Sequence, residues 1–265
     1  MGRLGDRFAA LRERGEAALV CFVTAGDPDL ESSEALVLSM AESGADVIEI
    51  GMPFSDPIAE GPTIQRASER ALAGGVNLRA ILEMVRGLRS KVEVPLVLMG
   101  YANPVHTMGY DAFSKSAAEA GVDGIIIADL PPEEGAPLYD KCNAAGVDCV
   151  LLAAPTTTPE RMQLLVEKTR GFLYYVSLTG VTGARSELAG GIEDAVRSAQ
   201  SLARVPVCVG FGIATPEQAR EVGRYADGVV VGSAIIDRIE GAANREDAVD
   251  AVARFVAELK NALRR

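Results

Sequence analysis

The sequence predicts an α/β protein, a (β/α)8 TIM barrel that forms a single domain over residues 1–265 and carries an extra helix at its N-terminus. Eight short apolar runs recur along the chain, and helix-like stretches separate them. The length of 265 residues is also one that such barrels commonly reach as a single domain. A doubly wound open sheet is the alternative for the same alternation of elements.

The eight runs are nearly continuous in Val, Ile and Leu, as is typical of parallel strands that are covered on both faces. In chain order they occupy 17–26, 47–52, 95–101, 124–129, 149–155, 173–178, 206–212 and 228–233. Two helix-forming stretches, rather than one, lie between the second and third runs, on either side of "AGGVN". We therefore expect this βα unit to be longer than the others.

The stretches between the runs carry the start and stop signals of helices. The predicted helices include 1–15, 29–44, 131–146, 215–226 and 246–265. Gly44 and Gly146 end two of them, as glycine does at many helix C-termini. Thr215 is placed to cap the N-terminus of another, with Pro216 in its first turn. The last helix begins with acids and ends with bases, which suits the helix dipole.

The charge of the chain argues against nucleic-acid and membrane partners. Lys and Arg number 26 and Asp and Glu number 37, so the net charge is −11, and there is no basic tract. The apolar runs are far too short to span a bilayer. The charged N-terminal stretch is followed by no apolar signal segment, and Asp6 breaks the myristoylation pattern. We expect a cytoplasmic protein.

Four cysteines and one histidine limit the metal and redox chemistry that the sequence supports. Cys21, Cys142, Cys149 and Cys208 form no CxxC pair, and three of them lie in or beside apolar runs. We therefore expect them to pack in the core, in a reducing compartment. His106 is the single histidine, which argues against a zinc site and leaves a Ser-His-Asp triad only one possible base. We predict no metal site.

A carboxylate interrupts the second apolar run. Glu49 lies between Ile48 and Ile50, where burial of a charge is unfavourable by several kcal/mol unless the charge is paired or neutralised. Two further acids, Asp56 and Glu60, follow in a loop rich in Pro and Gly. One interpretation is a glutamate held in a salt bridge inside the barrel mouth. The other is a functional acid whose pKa is shifted by its surroundings.

The active site of a (β/α)8 barrel lies at the carboxyl ends of its strands. The residues that stand there are Phe22, Thr24, Glu49, Tyr101, Asn103, Asp129, Tyr174 and Tyr175. Two glycine clusters, "GFG" at 210–212 and "GS" at 232–233, end the last two runs, where barrels often bind phosphate. Tight turns are the alternative for these glycines. The segment 177–191 suits either a lid that excludes water or an ordinary surface loop.

Six motifs occur in a distinctive order and spacing. They are "FVTAGDP", "PFSDPIAEGPTIQ", "DLPPEE", "GVTGAR", "GFGI" and "GSAI". Together they resemble the tryptophan synthase alpha chain family over essentially the whole chain. The segment "PFSDPIAEGPTIQ" is highly specific to that family, whereas "GFG" and "GS" are not.

The resemblance implies a (β/α)8-barrel lyase that cleaves indole-3-glycerol phosphate to indole and glyceraldehyde 3-phosphate without a cofactor. It also implies a partner, a pyridoxal-phosphate beta chain that consumes the indole, in an α2β2 heterotetramer. By motif, Glu49 matches the catalytic acid/base, Glu60 the carboxylate that contacts the indole N–H, and Tyr174 the site tyrosine. The family most often has Asp where this chain has Glu60, so the carboxylate here is one methylene longer.

The resemblance also implies which residues bind the substrate and the partner. The substrate-binding residues would be Phe22, Met99, Ile126, Asp129 and Thr182. The phosphate cradle would be Gly183, Gly210, Phe211, Gly212, Gly232 and Ser233. The face that docks the beta chain would include Asp56, Pro57, Asn103, Pro104 and Pro131.

The resemblance gives a reason for the acid in the second run. Cleavage requires a proton on carbon 3 of the indole ring and the loss of a proton from the adjacent glycerol hydroxyl. One carboxyl group serves both steps if its pKa lies near neutrality, and burial raises a carboxyl pKa in that direction. The alternatives are an independent lyase that releases free indole, a catalytically weak alpha chain that mainly activates its partner, and another phosphate-binding barrel such as an isomerase. The motif "PFSDPIAEGPTIQ" argues against the last.

Overall fold

The computed structural model describes residues 2–176, 187–210 and 212–264 and confirms the predicted barrel. Within these residues the chain forms nine strands and twelve helices. The strands are β1 Ala18–Thr24, β2 Val47–Gly51, β3 Leu96–Gly100, β4 Gly124–Ile127, β5 Asp148–Cys149, β6 Leu151–Ala153, β7 Leu173–Val176, β8 Val207–Gly210 and β9 Gly228–Val231. The helices are α1 Arg3–Arg14, α2 Leu30–Glu42, α3 Pro62–Ala73, α4 Leu78–Arg89, α5 Ala102–Met108, α6 Tyr110–Ala120, α7 Pro132–Ala144, α8 Pro159–Lys168, α9 Glu187–Leu202, α10 Pro216–Val222, α11 Ser233–Glu240 and α12 Arg245–Leu263.

The strands form one parallel sheet in the order β5-β4-β3-β2-β1-β9-β8-β7-β6. The two strands at the ends of this order come from a single predicted run, the fifth, which Val150 divides. β5 pairs with β4 and β6 pairs with β7, and the Val150 N–H donates to the Ile125 carbonyl oxygen at 2.9 Å. The fifth run therefore closes the barrel. Counted as one strand, it gives the eight strands that the sequence predicts.

Residues along each strand alternate between the barrel interior and the layer of helices outside it. The interior cluster consists of Leu4, Phe8, Leu11, Ala18, Val20, Val47, Val97, Ile126, Val150, Phe172, Tyr174, Cys208 and Val230. Its first three members belong to α1, so the predicted N-terminal helix packs into the barrel rather than around it. A Cβ atom placed at Gly124, where β4 begins, would lie 3.1 Å from Leu4, so α1 closes the end of the barrel where the strands start.

Three aspartates repeat one arrangement at the amino ends of the strands: each accepts a backbone N–H from a neighbouring strand. The pairs, with their N–O distances, are Asp46 with Leu19 (2.8 Å), Asp123 with Leu96 (2.9 Å) and Asp227 with Val207 (2.9 Å). Lys260 of α12 also donates to Asp46 at 2.8 Å and to Glu16 at 3.2 Å. Arg89 of α4 donates to Asp123 at 2.8 Å. These contacts connect two outer helices to the floor of the barrel, which is the end where the strands start.

The predicted helices are present, and most of them end within a few residues of the predicted positions. α10 is shorter than predicted and ends at Val222. Thr215 caps it, and Gln218 completes a capping box. Two helices, α3 and α4, lie between β2 and β3, as expected of the longer unit. The four cysteines are free and buried. In the described part of the chain, no helix is long and apolar enough to cross a membrane.

We expect Lys260→Met to lower the free energy of unfolding by about 3 kcal/mol, because it leaves the buried Asp46 carboxylate with Arg7, at the longer distance of 3.9 Å, as its remaining cation among the described residues. Lys260 is 6% exposed and its partner Asp46 is 2% exposed. Urea denaturation of the variant and the wild type measures the difference. Lys115→Met is the matched control: its ion pair with Glu119 lies on the surface at 3.9 Å, so the change should stay below about 1 kcal/mol. If both variants lost the same free energy of unfolding, the buried pair of Lys260 and Asp46 would stabilise the fold no more than a surface ion pair does.

Candidate active site

Glu49 lies inside the barrel, towards the carboxyl end of β2. Val47 of the interior cluster precedes it by two residues, so both side chains face the same side of the sheet. In the register of the sheet, Glu49 is flanked by Phe22 on β1 and Val97 on β3. The residue is 1% exposed, and neither carboxylate oxygen has a hydrogen-bond partner among the described residues. In this part of the chain the salt-bridge interpretation therefore has no partner to support it.

Burial raises the pKa of the Glu49 carboxyl to about 8, because a site without water disfavours the charged form. The group is therefore mostly protonated at neutral pH, yet its pKa is close enough to neutrality for it to lose and regain a proton during a reaction cycle. Burial first, and then the Glu49 charge, also raise the pKa of the Tyr174 hydroxyl. Tyr174 consequently keeps its proton and can donate a hydrogen bond at neutral pH.

Apolar side chains surround Glu49 on the side of the barrel mouth, which is the end where the strands finish. The Phe22 ring extends over Gly51, where an added Cβ atom would lie 2.5 Å from the ring. Met99 pairs with Gly51 on one side and with Ile126 on the other. The structure thus brings three of the predicted pocket residues to one interior surface beside Glu49. Their contact with an indole ring remains a prediction.

Tyr174 and Gly210 lie on the adjacent strands β7 and β8. A Cβ atom at position 210 would lie 2.3 Å from the Tyr174 hydroxyl oxygen, so the missing side chain makes room for that hydroxyl. Gly210 also pairs with Val230 of β9, two residues before Gly232. The Tyr174 hydroxyl therefore lies at the strand ends that carry the two glycine clusters.

The glycine clusters occupy neighbouring strand ends. Gly212 has a φ of 77°, in the left-handed region that favours glycine. Gly232 is the N-cap of α11, and Ser233 is the first residue of that helix. The first N–H groups of a helix have no partner within it and carry the positive end of its dipole. Neither cluster contains a lysine or an arginine, so the groups that they offer to a phosphate are backbone N–H groups.

Glu60 lies in the loop between β2 and α3 and is partly buried. Its carboxylate accepts a hydrogen bond from the Tyr101 hydroxyl. Its backbone carbonyl oxygen accepts another from Gln65 Nε2 at 2.9 Å. Burial raises the pKa of the Glu60 carboxyl, and the Tyr101 hydrogen bond opposes this rise. The side chain therefore reaches towards the end of β3, at the same mouth as Glu49.

The residues predicted to dock a partner lie in the loops and first helical turns after β2, β3 and β4, which are neighbours in the sheet. They are Asp56, Pro57, Asn103, Pro104 and Pro131. Asp56 and Asn103 are exposed. Asp129, predicted to contact substrate, accepts the Ala102 N–H at 2.8 Å and so fixes the start of α5. The structure brings these residues to one side of the mouth, and their docking role remains a prediction.

Three predicted site residues, Thr182, Gly183 and Phe211, lie outside the described residues, as does most of the predicted lid 177–191. Conversely, two residues without a predicted role lie at the mouth. Thr24 is 1% exposed, and its hydroxyl has no hydrogen-bond partner in the described ranges. Tyr101 bonds to a carboxylate 41 residues away in the sequence. The sequence signals both only as polar residues at the ends of apolar runs.

The fold and the mouth residues define a class of protein: a (β/α)8-barrel enzyme with an acid buried below the carboxyl ends of its strands and unpaired among the described residues. A second carboxylate stands nearer the surface, and two glycine turns suited to an anion lie across the mouth. Among the described residues, no group of three His, Cys, Asp or Glu side chains could hold a metal ion. The buried Glu49 carboxyl, the Glu60 carboxylate and the Tyr174 hydroxyl at one mouth support proton transfer.

Comparison with known proteins identifies the family. The family model for the tryptophan synthase alpha chain matches residues 8–264. The tryptophan synthase alpha chain of Citrifermentans bemidjiense is 52% identical over 260 residues, which cover 98% of this chain and 97% of the relative. That of Neisseria meningitidis serogroup B is 48% identical over 265 residues and covers 100% of both chains.

Solved structures of tryptophan synthase chains are similar to this structure as well. Tryptophan synthase subunit alpha from Legionella pneumophila strain Paris superimposes with a TM-score of 0.92 at 39% identity, covering 99% of this chain and 98% of the other. A chain of Mycobacterium tuberculosis tryptophan synthase gives a TM-score of 0.90 at 39% identity, covering 100% and 99%. The chain belongs to the tryptophan synthase alpha chain family, and the resemblance found in its motifs is confirmed.

We expect the wild type to lose stability relative to Glu49→Gln as pH rises from about 5 to 8. The native carboxyl keeps its proton up to a pKa of about 8, whereas the unfolded chain releases it near the ordinary value of 4.5. Between these values the unfolded state binds fewer protons, so stability falls as pH rises. Urea unfolding of both proteins across this range measures the effect, and other titrating groups cancel in the difference. A pH-independent difference would contradict the raised pKa.

Proposed function

We propose that Glu49 transfers both protons in the cleavage of indole-3-glycerol phosphate to indole and glyceraldehyde 3-phosphate. Family membership makes the chain the lyase subunit of tryptophan synthase, which performs this step in tryptophan biosynthesis. The observation that carries the assignment to Glu49 is its buried carboxyl, with no partner in the described residues and a pKa raised to about 8. An acid in this state has a proton to give at neutral pH and accepts it back readily.

Glu49 gives one proton and takes one proton in each turnover. The protonated Glu49 gives its proton to carbon 3 of the indole ring, which becomes an indoleninium cation. The resulting carboxylate then takes the proton of the neighbouring glycerol hydroxyl. As the carbonyl of the aldehyde forms, the carbon–carbon bond breaks and its electron pair returns to the ring as indole. Glu49 ends protonated, as it began, so the chain needs no external acid or base for a turnover.

Glu60 is the proposed partner of the indole N–H. This N–H becomes more acidic as the ring gains positive charge, so a carboxylate nearby stabilises the transition state more than the ground state. The Tyr101 hydroxyl donates its hydrogen bond to Glu60 Oε2. That leaves acceptor capacity on the other carboxylate oxygen for the substrate.

The remaining mouth residues bind the two ends of the substrate. Phe22, Met99 and Ile126 line the proposed indole pocket next to Glu49. The phosphate is proposed to bind across the mouth, at the glycine turns of β8 and β9, with Gly232 and Ser233 at the start of α11. Thr182, Gly183, Phe211 and Asp129 keep the binding roles that their motifs imply. The substrate would thereby span the mouth with its reacting carbon near Glu49.

The partner of the chain is the tryptophan synthase beta chain, with which alpha chains of this family pair. We propose that it docks on the loops after β2, β3 and β4, which carry Asp56, Pro57, Asn103, Pro104 and Pro131. Acceleration of cleavage by an added beta chain distinguishes a coupled lyase from an independent one. A cytoplasmic location is also proposed, since the four cysteines are free and buried.

We expect Glu49→Gln to lower turnover by at least about 100-fold, since general acid–base groups typically contribute about 10²–10⁴-fold. The amide keeps the shape of the side chain but transfers no proton. Steady-state release of glyceraldehyde 3-phosphate measures turnover, and the affinity for indole, which should change little, serves as the control for an intact pocket. If the variant kept more than about a tenth of wild-type turnover, the proposed role of Glu49 would be wrong.

We expect Gly232→Asp to weaken binding of glyceraldehyde 3-phosphate by more than tenfold, because it sets a negative charge against the phosphate (about 1.4 kcal/mol or more). A Cβ atom at this position would meet no described atom closer than Phe22 at 3.5 Å, which is ordinary van der Waals contact. Gly232→Asn has nearly the same shape without the charge and is the matched control. Calorimetric titration compares the two variants. Equal losses in both would place the phosphate elsewhere.

A further inference from the structure

Tyr101 connects the end of β3 to the loop that carries Glu60. Its side chain is buried, at 2% exposure, although it follows the last residue of the strand. Its ring stacks against Phe54 with the ring centres 5.1 Å apart and the planes at 28°. Its hydroxyl oxygen accepts the Ala59 N–H at 2.9 Å and donates to Glu60 Oε2. One side chain thus contacts this loop both near its start and near its end.

Hydrogen bonds hold both the backbone beside Glu60 and the Glu60 side chain, and the Tyr101 hydroxyl takes part in both. Gln65 Nε2 donates to the Glu60 carbonyl oxygen at 2.9 Å. The N–H of the preceding residue, Ala59, donates to the Tyr101 hydroxyl oxygen. Besides the backbone N–H of Glu60 itself, the Tyr101 hydroxyl is the one donor to this carboxylate among the described residues. Since a glutamate side chain has three rotatable bonds, the bond from Tyr101 selects one placement out of many.

The length of the side chain decides whether this bond forms. An aspartate on the same backbone would end one carbon–carbon bond, about 1.5 Å, short of the present carboxylate. From the usual separation of about 2.7 Å between the two oxygens, such a lengthening leads to about 4.2 Å, beyond hydrogen-bond range. The Tyr101 bond is therefore specific to glutamate at position 60 as this loop is built.

We propose that Tyr101 is a positioning residue for catalysis: its hydroxyl holds the longer Glu60 carboxylate where it meets the indole N–H. This inference rests on the proposed role of Glu60. Tyr101 touches neither the reacting carbon nor the migrating protons in this scheme and acts through Glu60. Its ring keeps the loop in place, and its hydroxyl sets the direction of the carboxylate.

A double-mutant cycle on the full chain tests the proposal, with kcat/KM for indole-3-glycerol phosphate as the readout. Tyr101→Phe keeps the ring and removes the hydroxyl, and we expect kcat/KM to fall about tenfold, the usual scale for losing a hydrogen bond to a charged group. In the Glu60→Asp background the same substitution should cost less than about threefold, because the bond to the carboxylate is already absent and only the neutral bond from the Ala59 N–H is left to lose. A purely structural role of Tyr101 would give the same factor in both backgrounds, and that result overturns the proposal.

Tyr139→Phe is the matched control, since the Tyr139 hydroxyl donates to the Leu130 carbonyl oxygen at 2.6 Å and has no contact with Glu60. We expect it to give equal and small changes in both backgrounds. Full activity of Glu60→Gln together with a large loss in Tyr101→Phe would also overturn the proposal, while leaving the role of Glu49 intact. Full activity of Glu49→Gln would instead remove the proposed function itself.

A spectroscopic measurement covers the case in which Tyr101→Phe fails to fold. In protein labelled with ¹³C at the phenol carbon of tyrosine, the Tyr101 resonance should shift between wild type and Glu60→Asp, because its hydrogen-bond acceptor is lost. The Tyr139 resonance should stay in place. An unchanged Tyr101 resonance would show that its hydroxyl does not hold Glu60.

Discussion

Glu49 keeps its carboxyl group in the barrel interior with no hydrogen-bond partner among the described residues, and this placement opposes folding whenever the group is charged. The free energy that offsets it must come from elsewhere in the molecule. The opposite end of the barrel supplies such contacts. There, α1 fills the interior with Leu4, Phe8 and Leu11, and buried aspartates join strands to helices. As far as the described residues show, the barrel thus combines a floor whose carboxylates are hydrogen-bonded with a mouth that keeps an acid without a partner.

This division explains why the two ends use carboxylates differently. At the floor, Asp46 has a backbone N–H and the Lys260 ammonium group within hydrogen-bond distance, so its charge is paired. At the mouth, Glu49 has neither a hydrogen-bond donor nor a cation in the described part of the chain, and its pKa rises to about 8. A carboxyl group is therefore structural where hydrogen-bond donors and a cation surround it, as at Asp46. It is suited to proton transfer where the described residues offer neither, as at Glu49. Because the two ends are separated by the packed interior, the floor can be stable without restricting the chemistry at the mouth.

Much of this fold could be predicted from the sequence, because parallel strands covered on both faces leave uninterrupted apolar runs. Glu49 stood out for the same reason, as an acid inside such a run. The division of the fifth run at Val150 could not be predicted, since it depends on two different neighbours pairing with the two halves. Nor could the contact of Tyr101 with Glu60, because side chains 41 residues apart meet only once the loop has its folded path.

The two carboxyl groups at the mouth show how one barrel can hold an acid and an acceptor side by side. Desolvation raises the pKa of both Glu49 and Glu60, but within the described ranges only Glu60 has a hydroxyl donor that opposes the rise. Tyr101 itself cannot take the place of the acid, since burial and then the Glu60 hydrogen bond raise the pKa of its hydroxyl. The proposed mechanism needs this asymmetry: the group that gives a proton must begin neutral, and the group that meets the indole N–H must be able to accept. A longer side chain at position 60 is compatible with that need because it brings the carboxylate within reach of the one buried hydroxyl at the end of β3.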